Sequence, residues 1–373
     1  MSKIFMIGDV HLALGYPNKL ENWYKVHKEY FNDFLIPLLK SKVKEGDIIV
    51  GLGDFFDNRN VIPIDILNYA IDIVETISKI APFHMIVGNH DLWSKSKSDI
   101  NTMRPFRYIP NVYIYSDITK IKYNNINILM MPYIDKRIEQ IKYIQDNKDC
   151  QYLFCHSDLN GAKMHLTSVA QKNPDKIDVN EFSVFKKVYS GHLHIRSSMK
   201  NVEFVGSIFQ MDRNDIGDQK GITVLDTNTD KSVFIPNKIS PIFMKFTIKN
   251  EEDVNNLEQY KNSKNYIDLI ISNNLLISNR KLRRRLEGIL ENGNFATIEY
   301  LDDITEDLID GENIKEELIL ESDVDISSSL DFNEYIKDYI LKQKYDNETF
   351  KNGVLREFDE ITKTYTENYI NKK

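Results

Sequence analysis

No stretch of the 373-residue chain approaches the roughly 18 uninterrupted apolar residues that a membrane helix requires. Its first residues, MSKIFMIGDVH, run straight into a strand-like segment with no cleavable signal pattern. A cytoplasmic protein with no membrane contact is the expectation. Cysteine is scarce: Cys150 and Cys155 are too few for a disulfide framework or a structural zinc site, so both are expected to be ordinary buried thiols. Basic charge is not in excess either, with 48 Lys and Arg against 56 Asp and Glu and a net charge of −8. That balance excludes a histone-like binder whose whole surface attracts polyanions, and any nucleic-acid contact must be local. Internal repeats and low-complexity segments are absent.

What is present is an alternation. Short apolar runs at Lys3–Ile7, Ile48–Leu52, His84–Val87, Ile126–Met131, Tyr152–Cys155, Lys187–Ser190, Val202–Val205 and Ile222–Leu225 read as strands. Amphipathic stretches between them, such as Asn22–Lys40 and Ile64–Ile80, are long enough to cover the faces of a sheet. Residues 1–240 therefore read as an α/β domain. After the break at Pro236 and Pro241, residues 241–301 read as a small β-α-β-α-β unit, 302–325 as an acidic linker and 326–373 as two amphipathic helices. Trp23, Trp93, Phe31 and Phe106 are candidates for the core or for an interface. Abundant Asn, Ile, Lys and Tyr fit an AT-rich genome such as many phages carry.

Five of the apolar runs end in potential metal ligands: IFMIGDVH with Asp9 and His11, IIVGLGDFFD with Asp54 and Asp57, MIVGNHD with Asn89, His90 and Asp91, YLFCHSD with His156, and KVYSGHLH with His192 and His194. A sheet gathers strand ends together, and side chains two apart in an extended chain point the same way, so each D-x-H or H-x-H pair can grip one site. Glycines at 8, 53, 88 and 191 precede the ligands, where the backbone must turn and approach an ion closely. A bridging carboxylate can hold two divalent cations about 3.5–4 Å apart. Carboxylate, amide and imidazole donors suit Mn²⁺ or Fe²⁺ without excluding Zn²⁺.

The series D-x-H, G-D-x-x-D, G-N-H-D, H and G-H-x-H, complete and in order over about residues 4–210, resembles the calcineurin-like metallophosphoesterase superfamily. The resemblance implies a four-layer β-sandwich flanked by helices. It implies Asp9, His11 and His194 on a first metal, Asn89, His156 and His192 on a second, Asp54 bridging, His90 on the scissile phosphate and Asp91 orienting His90. The opening IGDVHLALG, the spacing of the G-D-x-x-D and G-N-H-D blocks and the G-S-x-x-Q segment Gly206–Gln210 look like the SbcD-type exonuclease subunits, above all those of phage recombination complexes. Asp57 follows the SbcD pattern, where some cellular relatives carry a histidine. That branch implies a Mn²⁺-dependent exonuclease and endonuclease acting on double-stranded DNA ends in break repair, recombination and replication, as a homodimer in the (host) cytoplasm. It also implies that residues 241–301 cap the site and bind DNA, and that 326–373 dock on an SMC-like (SbcC-type) ATPase. Arg280, Lys281, Arg283, Arg284 and Arg285 are candidate phosphate contacts, or else a solvated face that offsets the acidic linker. A small-molecule phosphodiesterase or phosphatase of the same fold is the alternative function. Of the three histidines outside the series, His27 and His84 read as surface or satisfied core residues, and His165 as a weaker substrate-contact candidate.

Overall fold

The structure is a computed structural model, described here for residues 2–13, 23–94, 97–166, 168, 172–293, 295–301 and 356. The chain divides into two units, Met1–Asn313 and Ile314–Lys373. The expected acidic linker and C-terminal helices lie outside the described residues, apart from Arg356.

Among the described residues, seventeen strands and seven α-helices follow in order: β1 Lys3–Ile7, α1 Trp23–Glu29, α2 Ile36–Lys42, β2 Ile48–Gly51, α3 Ile64–Ser78, β3 Phe83–Ile86, β4 Leu92–Ser94, β5 Lys97–Asn101, β6 Val112–Tyr115, β7 Thr119–Tyr123, β8 Ile126–Met131, α4 Arg137–Asp146, β9 Tyr152–His156, β10 Lys187–Gly191, β11 Ser197–Met199, β12 Val202–Phe204, β13 Gly221–Asp226, β14 Lys231–Pro236, β15 Phe243–Ile248, α5 Glu251–Glu258, β16 Tyr266–Ser272, α6 Asn273–Ser278, α7 Arg280–Asn292 and β17 Thr297–Leu301. One six-stranded sheet has the order β14-β13-β1-β2-β3-β6 and the other β11-β12-β10-β9-β8-β7.

Alternation within the strands builds the layers. Ile4 and Met6 of β1 join Ile128 and Met130 of β8 and Tyr152 and Phe154 of β9 in the core between the sheets. Phe5 and Ile7 turn the other way, into the core beneath α1 and α3. Leu129, Met131, Leu153 and Cys155 likewise face a third core, which includes Ile144 of α4. Both faces of these strands are covered, so they read as continuous apolar runs rather than alternating ones. The expected sandwich flanked by helices is present, and both cysteines are free and buried.

The amphipathic stretch Asn22–Lys40 is helical from Trp23, where α1, a π-helical segment Tyr30–Leu35 and α2 follow one another without a gap to Lys42. Pro37 in the first turn of α2 has no N–H to continue the α ladder, and the π segment absorbs the mismatch. Trp23, Phe31 and Phe106 are buried in the core, whereas Trp93 on β4 is 54% exposed. Among the described residues, no helix is long and apolar enough to cross a membrane.

Beyond Pro241, the parallel strands β15-β16-β17 carry α5, α6 and α7, with Ile248, Val254, Leu269, Leu282 and Leu286 in their own core. An Asn250–Asp253 capping box starts α5. The order is β-α-β-α-α-β, the expected unit with the short helix α6 added between β16 and α7.

Phe154 is fully buried between the sheets and stacks on Tyr189 at 5.6 Å. Phe154→Ala is expected to lower unfolding free energy by about 3–5 kcal/mol in urea titrations. A change below about 1 kcal/mol would show that the inter-sheet core is not close-packed at this position.

Candidate metal centre

Strands β1, β2 and β3 are neighbours in parallel in one sheet, and β9 and β10 are neighbours in parallel in the other. Their C-terminal ends bring Asp9, His11, Asp54, Asn89, His90, His156, His192 and His194 into one cluster. The approach is tight. At Gly88 a Cβ would collide with the Asp54 carboxylate and backbone, and Gly53 has φ +99° with His156 against the space a Cβ would need. Three donor-bearing residues, His11, Asp54 and His192, themselves have positive φ (45°, 49° and 80°), a conformation ordinary side chains avoid. Hydrogen bonds hold it: Val10 N–H and His11 N–H both donate to the Asp54 carbonyl, at 3.0 and 2.9 Å.

Two donor sets share Asp54. In the first, Asp9, His11 and His194 group together, with His11 Nε2 and His194 Nε2 3.0 Å apart. In the second, Asn89 Oδ1 lies 2.9 Å from both His156 Nε2 and His192 Nδ1. Asp54 Oδ2 sits between them, 3.2 Å from His156 Nε2 and 3.7 Å from His11 Nε2.

The outer nitrogens set the tautomers. His156 Nδ1 is 2.7 Å from the Leu52 carbonyl, so in the neutral ring Nδ1 carries the proton and the Nε2 lone pair faces inward. His11 Nδ1 meets Asp57 Oδ1 at 3.2 Å with the same consequence. His192 turns Nδ1 inward and its Nε2 lies 3.6 Å from Asp158, which also pairs with Lys176. Such outer partners orient imidazole ligands and raise their basicity. The sequence marks Asp57 only as a potential metal ligand and gives Asp158 no task. The position of Asp57 inside G-D-x-x-D is the available signal; nothing in the sequence pattern marks Asp158.

Burial and electrostatics fit cations. Asp9 is fully buried; its Oδ1 accepts the His192 N–H at 2.9 Å, while Oδ2 has no hydrogen-bond donor. A buried carboxylate oxygen without a donor is costly unless a cation supplies the charge. Burial disfavours the charged form of His11, but the Asp57 hydrogen bond and the Asp54 and Asp9 charges outweigh it and push His11 up to about 9. Burial also opposes charge on His156, and Asp54 prevails, again giving about 9. These imidazoles in turn hold Asp54 well below the usual carboxylate range, against burial. Burial, with the His11 and Lys220 charges, holds His194 well below an ordinary histidine.

His90 sits half-buried beside His11, their ring centroids 4.8 Å apart. Its Nδ1–H donates to the Asp57 carbonyl at 2.9 Å, and its backbone N–H donates to Asp54 Oδ1 at 2.8 Å. The Asp57 carbonyl thus holds the ring directly. Asp91 accepts the N–H groups of Phe55, Phe56 and Gly88, tying the Asp54 and Asn89 loops together from behind. Burial and the Asp54 charge push Asp91 up to about 7, against the pull of these donors.

The remaining histidines fall outside the cluster. His27 is fully buried, its ring nitrogens 3.0 Å from the Trp23 and Val10 carbonyls. His84 bonds to the Tyr115 hydroxyl. His165 is not brought to the donor sets. In α7, Arg280, Lys281, Arg283, Arg284 and Arg285 are all exposed, but Arg283 pairs with Glu287 at 2.8 Å and Arg285 with Glu258. Among the described residues, Arg280, Lys281 and Arg284 have no acidic partner.

A profile of the calcineurin-like phosphoesterases matches residues 2–196. The chain belongs to this family. Curated relatives include exonuclease subunit 1 of Enterobacteria phage T4, 28% identical over 247 residues that cover 63% of this chain and 68% of the relative. A putative phosphoesterase of invertebrate iridescent virus 6 is 28% identical over 216 residues (56% of this chain, 70% of the relative). The SbcD component of the SbcCD nuclease from Staphylococcus saprophyticus is 26% identical over 273 residues (63% and 69%). Family membership carries divalent metal ions and phosphoester hydrolysis with it, and the relatives include nucleases.

Without metal, His11 and His156 hold protons at neutral pH, and ligation must displace them. Apparent Mn²⁺ affinity is therefore expected to climb with pH and level off above about 9, the folded-state value for both rings. Calorimetric titrations in buffers of different ionisation enthalpy should show proton release on binding, and an affinity that is flat from pH 6 to 9 would contradict the arrangement.

Proposed function

We propose that the chain is the nuclease subunit of a DNA-end-processing complex, hydrolysing phosphodiester bonds at two divalent cations, Mn²⁺ by preference. The observation that carries this reading is the pair of donor sets joined at Asp54 Oδ2, with the His90 ring 4.8 Å from that of His11. Asp9, His11 and His194 are assigned to one cation, Asn89, His156 and His192 to the other, and Asp54 to both. When bound, the cations lower the pKa of a water and neutralise charge developing on the phosphoryl group.

The protein's own residues do the rest. His90 commits Nδ1–H to the Asp57 carbonyl, so a second proton on Nε2, in the imidazolium form, would be the one donated to the leaving oxygen, the ring returning to its neutral Nδ1–H form. Asp91 holds the two loops whose N–H groups it accepts, which keeps His90 and Asn89 in register. DNA as substrate is supported by the nuclease relatives and by residues 241–301, where Arg280, Lys281 and Arg284 stand exposed and unneutralised. Arg283 and Arg285, already paired, are weaker candidates for phosphate contacts. The proposal extends to exonuclease and endonuclease action in break repair, recombination and replication, in the cytoplasm of a host cell if the gene is phage-borne. It includes a homodimer, for which exposed Trp93 is an interface candidate, and docking of residues 326–373 on an SMC-like ATPase.

His90→Gln, assayed on linear DNA with Mn²⁺, is expected to keep two bound cations while losing roughly 10²–10⁴-fold in turnover, the range for a lost general acid. Unchanged turnover, or loss of a cation, would contradict the role of His90. Replacing Arg280, Lys281 and Arg284 with alanine should weaken hydrolysis of duplex DNA but leave a small chromogenic phosphodiester untouched. A wild-type preference for cyclic nucleotides or phosphopeptides over DNA would instead identify a small-molecule phosphodiesterase or phosphatase.

A further inference from the structure

Lys220 is a buried cation outside the ligand series, its side chain only 3% exposed. Its ammonium donates hydrogen bonds to the His194 carbonyl at 2.6 Å and to Asp215 Oδ1 at 2.7 Å, and Asp218 Oδ2 is a second ion-pair partner at 2.7 Å. Burying a charge is costly unless it is paired and hydrogen-bonded, and Lys220 is both. One carboxylate would suffice to neutralise it, and two are present. One of its two hydrogen bonds goes to the backbone of a donor residue of the metal cluster.

The partners of Lys220 are themselves fixed. Asp215 Oδ2 accepts the Met211 N–H at 2.7 Å, and Asp218 Oδ2 faces the Arg196 N–H at 3.4 Å, two residues beyond His194. The Ser207 N–H shares the His194 carbonyl at 3.0 Å. The same turn reaches the β15-β16-β17 unit. Gln210 donates to the Asp218 carbonyl at 3.0 Å and accepts the Phe243 N–H at 2.7 Å, while Arg213 makes a two-pronged ion pair with Asp268 of β16 at 2.5 and 2.9 Å.

We propose that Lys220 is a positioning residue that holds the His194 backbone in place for metal ligation, through a turn that is also anchored on the 241–301 unit. It acts through His194 and touches neither cation nor substrate. The inference rests on the reading of His194 as a ligand of the first cation, so the experiment includes a control for that reading.

Calorimetric Mn²⁺ titration of the full-length protein would be compared for the wild type, His194→Gln, Lys220→Met and the triple variant Lys220→Met with Asp215→Asn and Asp218→Asn. The triple variant leaves no uncompensated buried charge, so it tests the proposal even where the single substitution unfolds the protein. Outer-sphere losses typically weaken a metal site roughly 10–100-fold. The expected result is that His194→Gln removes one of two binding events and that the Lys220 variants weaken that same event by this factor, leaving the other unchanged. A folded Lys220 variant with a lower melting temperature but both affinities of the wild type would overturn the proposal, since a purely structural role moves only the former. Two full-affinity events in His194→Gln would overturn the ligand assignment on which it rests.

Discussion

Asp54 carries a carboxylate that is 1% exposed, at the end of the strand between β1 and β3. Removing such a charge from water is expensive unless opposite charge and hydrogen bonds replace the lost hydration. Its surroundings supply both: Oδ1 takes the His90 N–H, Oδ2 lies between two imidazoles, and the Asp54 carbonyl takes two N–H groups of the β1 loop. Each replacement requires a strand end to arrive at a set place. The four-layer sandwich can be understood as the frame that brings five strand ends to this one carboxylate.

Satisfying Asp54 dictates much of the rest. Gly88 must lack a side chain because the carboxylate occupies that space, and Gly53 must adopt positive φ so that the chain can turn beneath His156. Asp91 binds the turns from behind, and Asp9 is left with a buried oxygen that no protein donor reaches. The cluster is thus held in a strained, charge-rich form by the body of the protein. Pre-organisation of this kind is what two closely spaced cations require, because the ligands do not then have to be gathered at the moment of binding.

The core strands and the donor set were legible because their signals are local. Strands buried on both faces read as uninterrupted apolar runs, and the donors follow them within a few residues. The short strands β4, β5, β6, β7, β11 and β14 lack that signal, since most are partly exposed or lie at sheet edges. The change of helix type in the first helical stretch was marked by Pro37, but its π-helical form depends on packing. Asp57, Asp158 and Lys220 became meaningful only through contacts that join residues 46, 34 and 26 positions apart, respectively. The basic cluster of α7 shows the converse: it reads as five free cations, yet Glu287 one turn away and Glu258 on α5 neutralise two of them.

The central claim is that one carboxylate joins two cations. Electron paramagnetic resonance of the protein loaded with two equivalents of Mn²⁺ tests it most directly, because ions about 3.5–4 Å apart across a shared ligand are magnetically coupled. The account predicts an exchange-coupled spectrum in the wild type, reverting in Asp54→Asn to the six-line pattern of isolated Mn²⁺. A wild-type spectrum of isolated ions at full loading would contradict it.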